Sequence, residues 1–234
     1  MSTAAPEADI SRKPQTRMVV RSSAIAKMLS PPHLADENGL KFGKVFEEVY
    51  TEFAWRTQDP ENEMGILIDW GEMATETMLK EGIYSEANAA KMEAMRDALL
   101  LANADGEKPA TEFKPITGNI VLAAQPDLYN IETGEYIEFK TVPIDDYAIT
   151  QAKVFSYALG EPIRLIGLRD IGDGNYEAEE QTVTADGFAL PAIPRELLRE
   201  QEWCTVCNKP ASDRRCAKHQ RASLDDIEDD DFEP

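Results

Sequence analysis

Between positions 40 and 54 apolar residues recur at three- and four-residue steps. Phe42, Val45, Phe46, Val49 and Phe53 fall on one stripe, the pattern of a helix with one face in a core. A shorter amphipathic stretch precedes it at 22–29, where Ser22 or Ser23 can cap a helix and Pro31 and Pro32 stop it. Helical patterning resumes at 70–81 and 85–103, the latter opening on Ser85 as a cap, so the whole of 40–103 reads as helical apart from a break at 59–63. After Lys108-Pro109 the period changes. Residues 117–128 and 136–142 read as strands around a turn-rich segment, 130–135, that contains Thr133-Gly134, which predicts a hairpin. Residues 145–159 are helical again, ended by Gly160 and Pro162. Two further strands are predicted at 163–169 and 176–183, with 170–174 as their turn, and 191–203 reads as a last short helix. This order predicts an α/β domain: a central mixed sheet flanked by helices.

The 234 residues suffice for one domain with a real core. No apolar run approaches the roughly 18 residues of a membrane span, and the polar first 20 residues lack the apolar centre of a signal peptide. The expectation is a cytoplasmic protein without a membrane partner. Its organisation reads as a disordered arm at 1–20, a core domain at 21–200, a Cys/His segment at 201–221 and a disordered acidic tail at 222–234. The net charge of −20 opposes binding to a polyanion. Seven acids in the last ten residues account for part of it, but the remainder still carries about −13.

The candidate chemistry lies in the predicted hairpin. Gln125-Pro126-Asp127 is followed ten residues on by Glu138-Phe139-Lys140. Side chains alternate along a strand, so Glu138 and Lys140 share one face while Ile137 and Phe139 take the other. Ile137 and Phe139 suit a core. A Glu and a Lys on the opposite face of a central strand need partners, because unpaired buried charge is costly. Asp127, placed near the turn end of the preceding strand, would reach Glu138 through a bend. Two carboxylates meeting there suit a hard divalent cation such as Mg2+ or Mn2+. Lys140 would then orient or deprotonate the attacking water, or offset charge in the transition state.

Pro126-Asp127 and Glu138-x-Lys140 together resemble the signature of the PD-(D/E)XK nucleases. Within that class the chain is most similar to RecB/RecE-type exonuclease domains and their CRISPR-associated and phage relatives. Glu138–Thr141 (EFKT) resembles their E-[IL]-K-T run, residues 151–155 (QAKVF) their Q-x-x-x-Y helix motif, and residues 43–47 (GKVFE) their upstream G-x-x-x-[HE] motif. The resemblance covers roughly residues 22–170. It implies a restriction-endonuclease-like core and a DNA exonuclease that acts on free ends or single strands in recombination, repair or phage and CRISPR DNA processing, with a recombination or single-strand-binding protein as a possible partner. It also implies that Asp127, Glu138 and Glu47 bind the metal, the Phe139 carbonyl completes the shell, Lys140 assists the water and Gln151 helps position the lysine or the nucleic acid. Glu47 is preferred to Glu48 because Lys44, Glu48 and Glu52 form a solvated row, whereas Glu47 borders the apolar stripe. The family's tyrosine is Phe155 here, so its hydroxyl is missing, and Tyr157, two residues on, points roughly 200° away from Phe155. A catalytically silent module of the same fold, bound into a DNA-processing complex, and a sequence-specific endonuclease stay open as alternatives.

All three cysteines lie between 204 and 216. Cys204-x2-Cys207-x8-Cys216-x2-His219 offers four ligands in two close pairs, a spacing suited to one tetrahedral Zn2+. Some relatives carry an iron–sulfur cluster instead, which here would need His33 as the fourth ligand beside the cysteines. The acidic end, 224–234, reads either as a solubilising tail or as a segment that binds a partner or mimics DNA. If the Cys/His segment clamps a zinc, a chelator lowers the melting temperature or the solubility of the chain. Unchanged stability and solubility after metal removal would end that reading.

Overall fold

The stripe at 40–54 belongs to a longer helix, α2 (Glu37–Gln58), whose Phe42, Val45, Phe46, Val49 and Tyr50 are all buried. The computed structural model describes residues 15–31, 37–58, 70–204 and 209–210. Within them the chain is α/β, with five helices and two sheets. Before α2 come strand β1 (Gln15–Arg21) and helix α1 (Ser22–Leu29); after it come α3 (Trp70–Lys80) and α4 (Glu86–Leu101). Ser85 caps α4 as its position predicts, accepting a hydrogen bond from the Asn88 N–H at 3.1 Å. Ser22 does not cap α1. It lies inside the helix, and its hydroxyl donates to the Ala123 carbonyl at 2.9 Å. No described helix is long and apolar enough to cross a membrane.

The chain divides into two compact units, where the sequence suggests one core domain over 21–200. The described part of the smaller unit lies in 15–20, 115–122, 193–204 and 209–210. It contributes most of a five-stranded sheet of order β2-β3-β1-β8-β9, with β2 at Glu112–Thr117, β3 at Ile120–Ala124, β8 at Arg199–Cys204 and β9 at Lys209–Pro210. β1 pairs antiparallel with β8, and the Arg17 guanidinium lies 4.9 Å from the centre of the Trp203 ring. Two expectations are corrected here. Residues 15–20 form a strand rather than part of a disordered arm. Residues 199–204 form a strand after a short 3-10 turn at Arg195–Leu197 rather than ending a helix. The alternation Gln201, Trp203 against Glu200, Glu202 in β8 is a period of two.

The larger unit, 21–114 and 123–192, is built on a four-stranded mixed sheet of order β4-β5-β6-β7. These strands are Leu128–Asn130, Glu135–Lys140, Ile163–Gly172 and Asn175–Val183. β4 and β5 form the predicted hairpin, β6 and β7 a second antiparallel pair, and β5 and β6 are parallel, joined through α5 (Asp146–Leu159). Parallel neighbours need such a crossover. α5 starts on Asp145, whose side chain accepts from the Ala148 N–H, and stops at Gly160 with φ 79°, a left-handed conformation glycine adopts without steric cost. Leu128, Ile137, Phe139, Ile166 and Leu168 pack against α2, α3 and α4 on one face of the sheet. Ile163, Leu165 and Val183 pack against Ala148, Ala152 and Phe155 of α5 on the other.

One glycine lets the crossover close tightly. Gly167 pairs with Lys140 across the β5–β6 ladder. A Cβ there would lie 2.7 Å from the Ile144 backbone nitrogen and 3.1 Å from the Val142 carbonyl oxygen. The segment 141–145 therefore lies directly over β6, fastened by the Leu168 N–H donating to the Val142 carbonyl and by the Glu179 carboxylate accepting from the Ile144 N–H. Gly167→Ala should cost about 1–3 kcal/mol, the usual range for forced overpacking, readable in urea or thermal melts. Wild-type stability would show that 141–145 yields without cost.

Candidate active site

The β4–β5 ladder pairs Leu128 with Ile137, Tyr129 with Tyr136 and Asn130 with Glu135. Asn130 holds the turn by accepting from the Thr133 N–H at 2.9 Å and donating to Asp105 at 2.6 Å. Asp127 precedes Leu128, so it lies at the end of the ladder away from the turn, not near the turn as the sequence suggests. No bend is needed to bring it to Glu138, because the antiparallel register sets the two opposite one another. Asp127 Oδ2 accepts from the Phe139 N–H at 2.9 Å. The expected single strand over 117–128 is two strands in different sheets, β3 and β4. Buried Pro126, which has no N–H to give a ladder, lies between them.

Glu138 and Lys140 share the face of β5 opposite Ile137 and Phe139, as alternation requires. Glu138 is 1% exposed. Its Oε1 accepts from the Lys140 ammonium, whereas its Oε2 is buried and receives no hydrogen bond. The Asp127 and Glu138 carboxyls lie within hydrogen-bonding reach of each other. Two ionised carboxylates have no donor between them, so such a pair requires a proton or a cation. Burial, and then the charge of Glu138, push the Asp127 carboxyl up to about 8. Burial also raises Glu138, against the pull of Lys140. Burial works against the charge of Lys140, but Glu138, Asp127 and Glu47 outweigh it and hold the side chain as an ammonium. Of the roles the sequence leaves open for Lys140, charge compensation and hydrogen-bond donation fit this state.

Glu47 reaches this cluster from α2. Phe46 and Tyr50 set their rings against Phe139 at 6.2 and 5.3 Å, both edge-on, which fixes α2 beneath β5. Although Glu47 is exposed as a residue, desolvation first and Asp127 second raise its carboxyl, while Lys140, Lys108 and Lys44 oppose them. No three His, Cys, Asp or Glu side chains among the described residues stand close enough to hold one cation together. The inner site is thus the Asp127–Glu138 pair, and Glu47 stands beside it close enough to act on both carboxyls. Glu47 also opens onto a groove of about 810 Å³ along α2 and α3, lined among others by Lys44, Glu48, Trp55, Glu76 and Lys108. Gly43 has a packing role: a Cβ there would lie 3.2 Å from Thr141 Oγ1.

Gln151 is 7% exposed on α5, and its Oε1 has no hydrogen-bond partner. It is a buried amide and not the polar residue of a solvent-facing helix surface. Phe155 lies one turn further along the same face, in the apolar cluster around Leu165. Tyr157 turns elsewhere, with its ring 4.1 Å from the Lys114 ammonium and 5.7 Å from the Phe188 ring. The sequence reading passes over Tyr147, one turn before Gln151 and close enough to Lys140 and Glu138 to feel both charges. The signal that could have found it is the same four-residue helical step taken upstream. Cys204, buried at the end of β8, is the only predicted zinc ligand inside the described residues; Cys207, Cys216, His219 and the alternative His33 lie outside them, as does 222–234.

Neither a protein-family model nor a curated protein matches the chain.

The raised Asp127 carboxyl has a consequence for stability. Its folded value of about 8 exceeds the ordinary 3.8, so the fold holds a proton that the unfolded chain releases. Stability from this group is complete below about pH 4 and is lost as pH rises through about 8. Asp127→Asn keeps an acceptor for the Phe139 N–H and removes the charge. Without added divalent cation, the variant should gain on the wild type as pH rises over that window, by at least about 1 kcal/mol at its top. Parallel melting curves at every pH would show that the pair carries no such strain.

Proposed function

We propose that the chain is a Mg2+- or Mn2+-dependent deoxyribonuclease of the PD-(D/E)XK class, similar to RecB-like exonuclease domains and built on a restriction-endonuclease-like core. The observation that carries this reading is the pairing of half-buried Asp127 with buried Glu138, the Lys140 ammonium against them, at the end of a β4–β5 hairpin that continues into a β-α-β crossover. The donor set fits a hard cation. It consists of carboxylate oxygens, one of them, Glu138 Oε2, buried without a partner, and Mg2+ commonly takes one or two carboxylates and completes its shell with water and substrate phosphate.

Asp127 and Glu138 would hold the cation, and Glu47, one step outside, would accept hydrogen bonds from its water. When bound, the cation supplies Lewis-acid polarisation of the phosphoryl group and lowers the pKa of a coordinated water. Lys140 donates to the phosphoryl oxygens and offsets the charge that grows there as the water attacks. Gln151 offers its unpartnered oxygen to a proton of Lys140 or of the attacking water. The backbone hydrogen bond from Phe139 keeps Asp127 facing Glu138 with or without metal.

The net charge of −20 favours a second reading, in which the same fold is catalytically silent and serves as a protein- or nucleic-acid-binding subunit of a DNA-processing complex.

Incubation with end-labelled single- and double-stranded DNA, with and without Mn2+, separates the two. The nuclease reading expects metal-dependent cleavage that falls at least about a hundredfold in Asp127→Ala, Glu138→Ala and Lys140→Ala. Cleavage retained in all three variants contradicts the site. A wild-type chain that binds DNA but never cuts it supports the silent module.

A further inference from the structure

In open α/β sheets ligands bind in the crevice outside the carboxyl ends of parallel strands. In the larger unit the carboxyl end of β5 is Lys140, followed by the segment 141–145 pressed onto Gly167 and by the first turn of α5. Tyr147 stands in that first turn. It shares a helix face with Gln151 and Phe155, at steps of four residues. Burial along this face is graded: Phe155 is 4% exposed, Gln151 7% exposed, and Tyr147 half-buried. The face therefore runs from the apolar core, past an unpartnered buried amide oxygen, to a half-buried phenol in the turn that follows the carboxyl end of β5.

The charged groups that act on the phenol are Lys140, Glu138 and Asp145. Lys140 gives one of its three N–H groups to Glu138, and Phe155 carries no hydroxyl. Among the described residues of α5, Tyr147 is the phenol on the Gln151 face that feels the charges of Lys140 and Glu138. A phenol is an ordinary hydrogen-bond donor at neutral pH, and burial, with Glu138 and Asp145, raises this one further.

We propose that Tyr147 is a substrate-binding residue of this site, its hydroxyl donating a hydrogen bond to a backbone phosphate oxygen of a nucleic-acid strand laid beside Lys140. This rests on the nuclease reading and adds a contact to it. A phenol is suited to the place because it donates to a phosphate without adding a second ammonium next to Lys140, and its two-torsion side chain loses little freedom on binding.

The test is fluorescence anisotropy of a labelled single-stranded oligonucleotide in Ca2+, an oxygen-seeking cation used here to hold the carboxylates without turnover. Tyr147→Phe deletes only the hydroxyl and leaves the ring in place. Loss of one hydrogen bond to a charged acceptor predicts affinity weakened about tenfold, with an unchanged melting temperature. Tyr157→Phe, on another side of the same helix, should bind as the wild type does. The same Tyr147→Phe protein assayed for cleavage in Mn2+ should show a raised KM with kcat affected less. Wild-type affinity and KM in Tyr147→Phe overturn the assignment and leave the nuclease reading intact. A wild-type chain that neither binds nor cuts the oligonucleotide overturns both.

Discussion

Two carboxyl groups and one ammonium crowd together at one end of β5, with Glu138 buried and Asp127 and Lys140 half-buried, and the larger unit is organised around the cost of keeping them there. Glu138 sits on a central strand with one oxygen on Lys140 and the other unpartnered, and Asp127 is held against it by a backbone N–H. Such a pair is not a stabilising salt bridge in any simple sense. Charged groups removed from water regain their hydration only when all are compensated; two ionised carboxylates facing one ammonium would not be, and the raised Asp127 carboxyl answers this with a proton. The apolar packing beneath β5 has to offset the remainder. It does so with a cluster of rings, Phe46, Tyr50, Phe53, Trp70 and Phe139, whose centres lie 5.3 to 6.4 Å apart.

Alternation along one strand links the two sides. Ile137 and Phe139 turn into the helical layer, and Glu138 and Lys140 are thereby turned away from it towards α5. The antiparallel register of the hairpin then sets Asp127 opposite Glu138 without a bend, and the parallel register with β6 sets Gly167 opposite Lys140, where the lack of a side chain lets the chain turn at once into α5. A slip of one residue in either ladder would reverse the faces and separate the three groups. Fold and site are for this reason one specification, carried by six residues of β5 and their neighbours.

Much of this was legible in the chain itself. Period-four apolar spacing gave α2, Ser85 and Gly160 marked real helix ends, and Glu138-x-Lys140 beside apolar Ile137 and Phe139 announced a buried charged face. The errors have identifiable causes. Ser22 looked like a cap, but a hydroxyl can equally serve a distant carbonyl, and only tertiary structure chooses. Residues 117–128 read as one strand because the apolar run continues through it, while Pro126 marks where pairing must change. Residues 199–204 are acidic and short, so the period-two signal in β8 was weaker than the helix propensity of Glu and Leu nearby. Gly167 and Tyr147 were invisible for another reason. Their importance lies in what the 141–145 crossover brings to them, which no local spacing encodes. Glu47 was singled out by its place on the border of a stripe, and that it feels the charge of Asp127 depends on ring packing that a sequence does not give.

The central claim is that the Asp127–Glu138 pair is a place for a divalent cation rather than for a shared proton alone. Titration of the chain with Mn2+, followed by electron paramagnetic resonance of the unbound ion, addresses it without requiring any catalysis. The account predicts saturable uptake at a site that disappears in Glu138→Gln, a change that keeps the shape and removes the charge. Uptake that is absent from the wild type, or that survives unaltered in the variant, would contradict it.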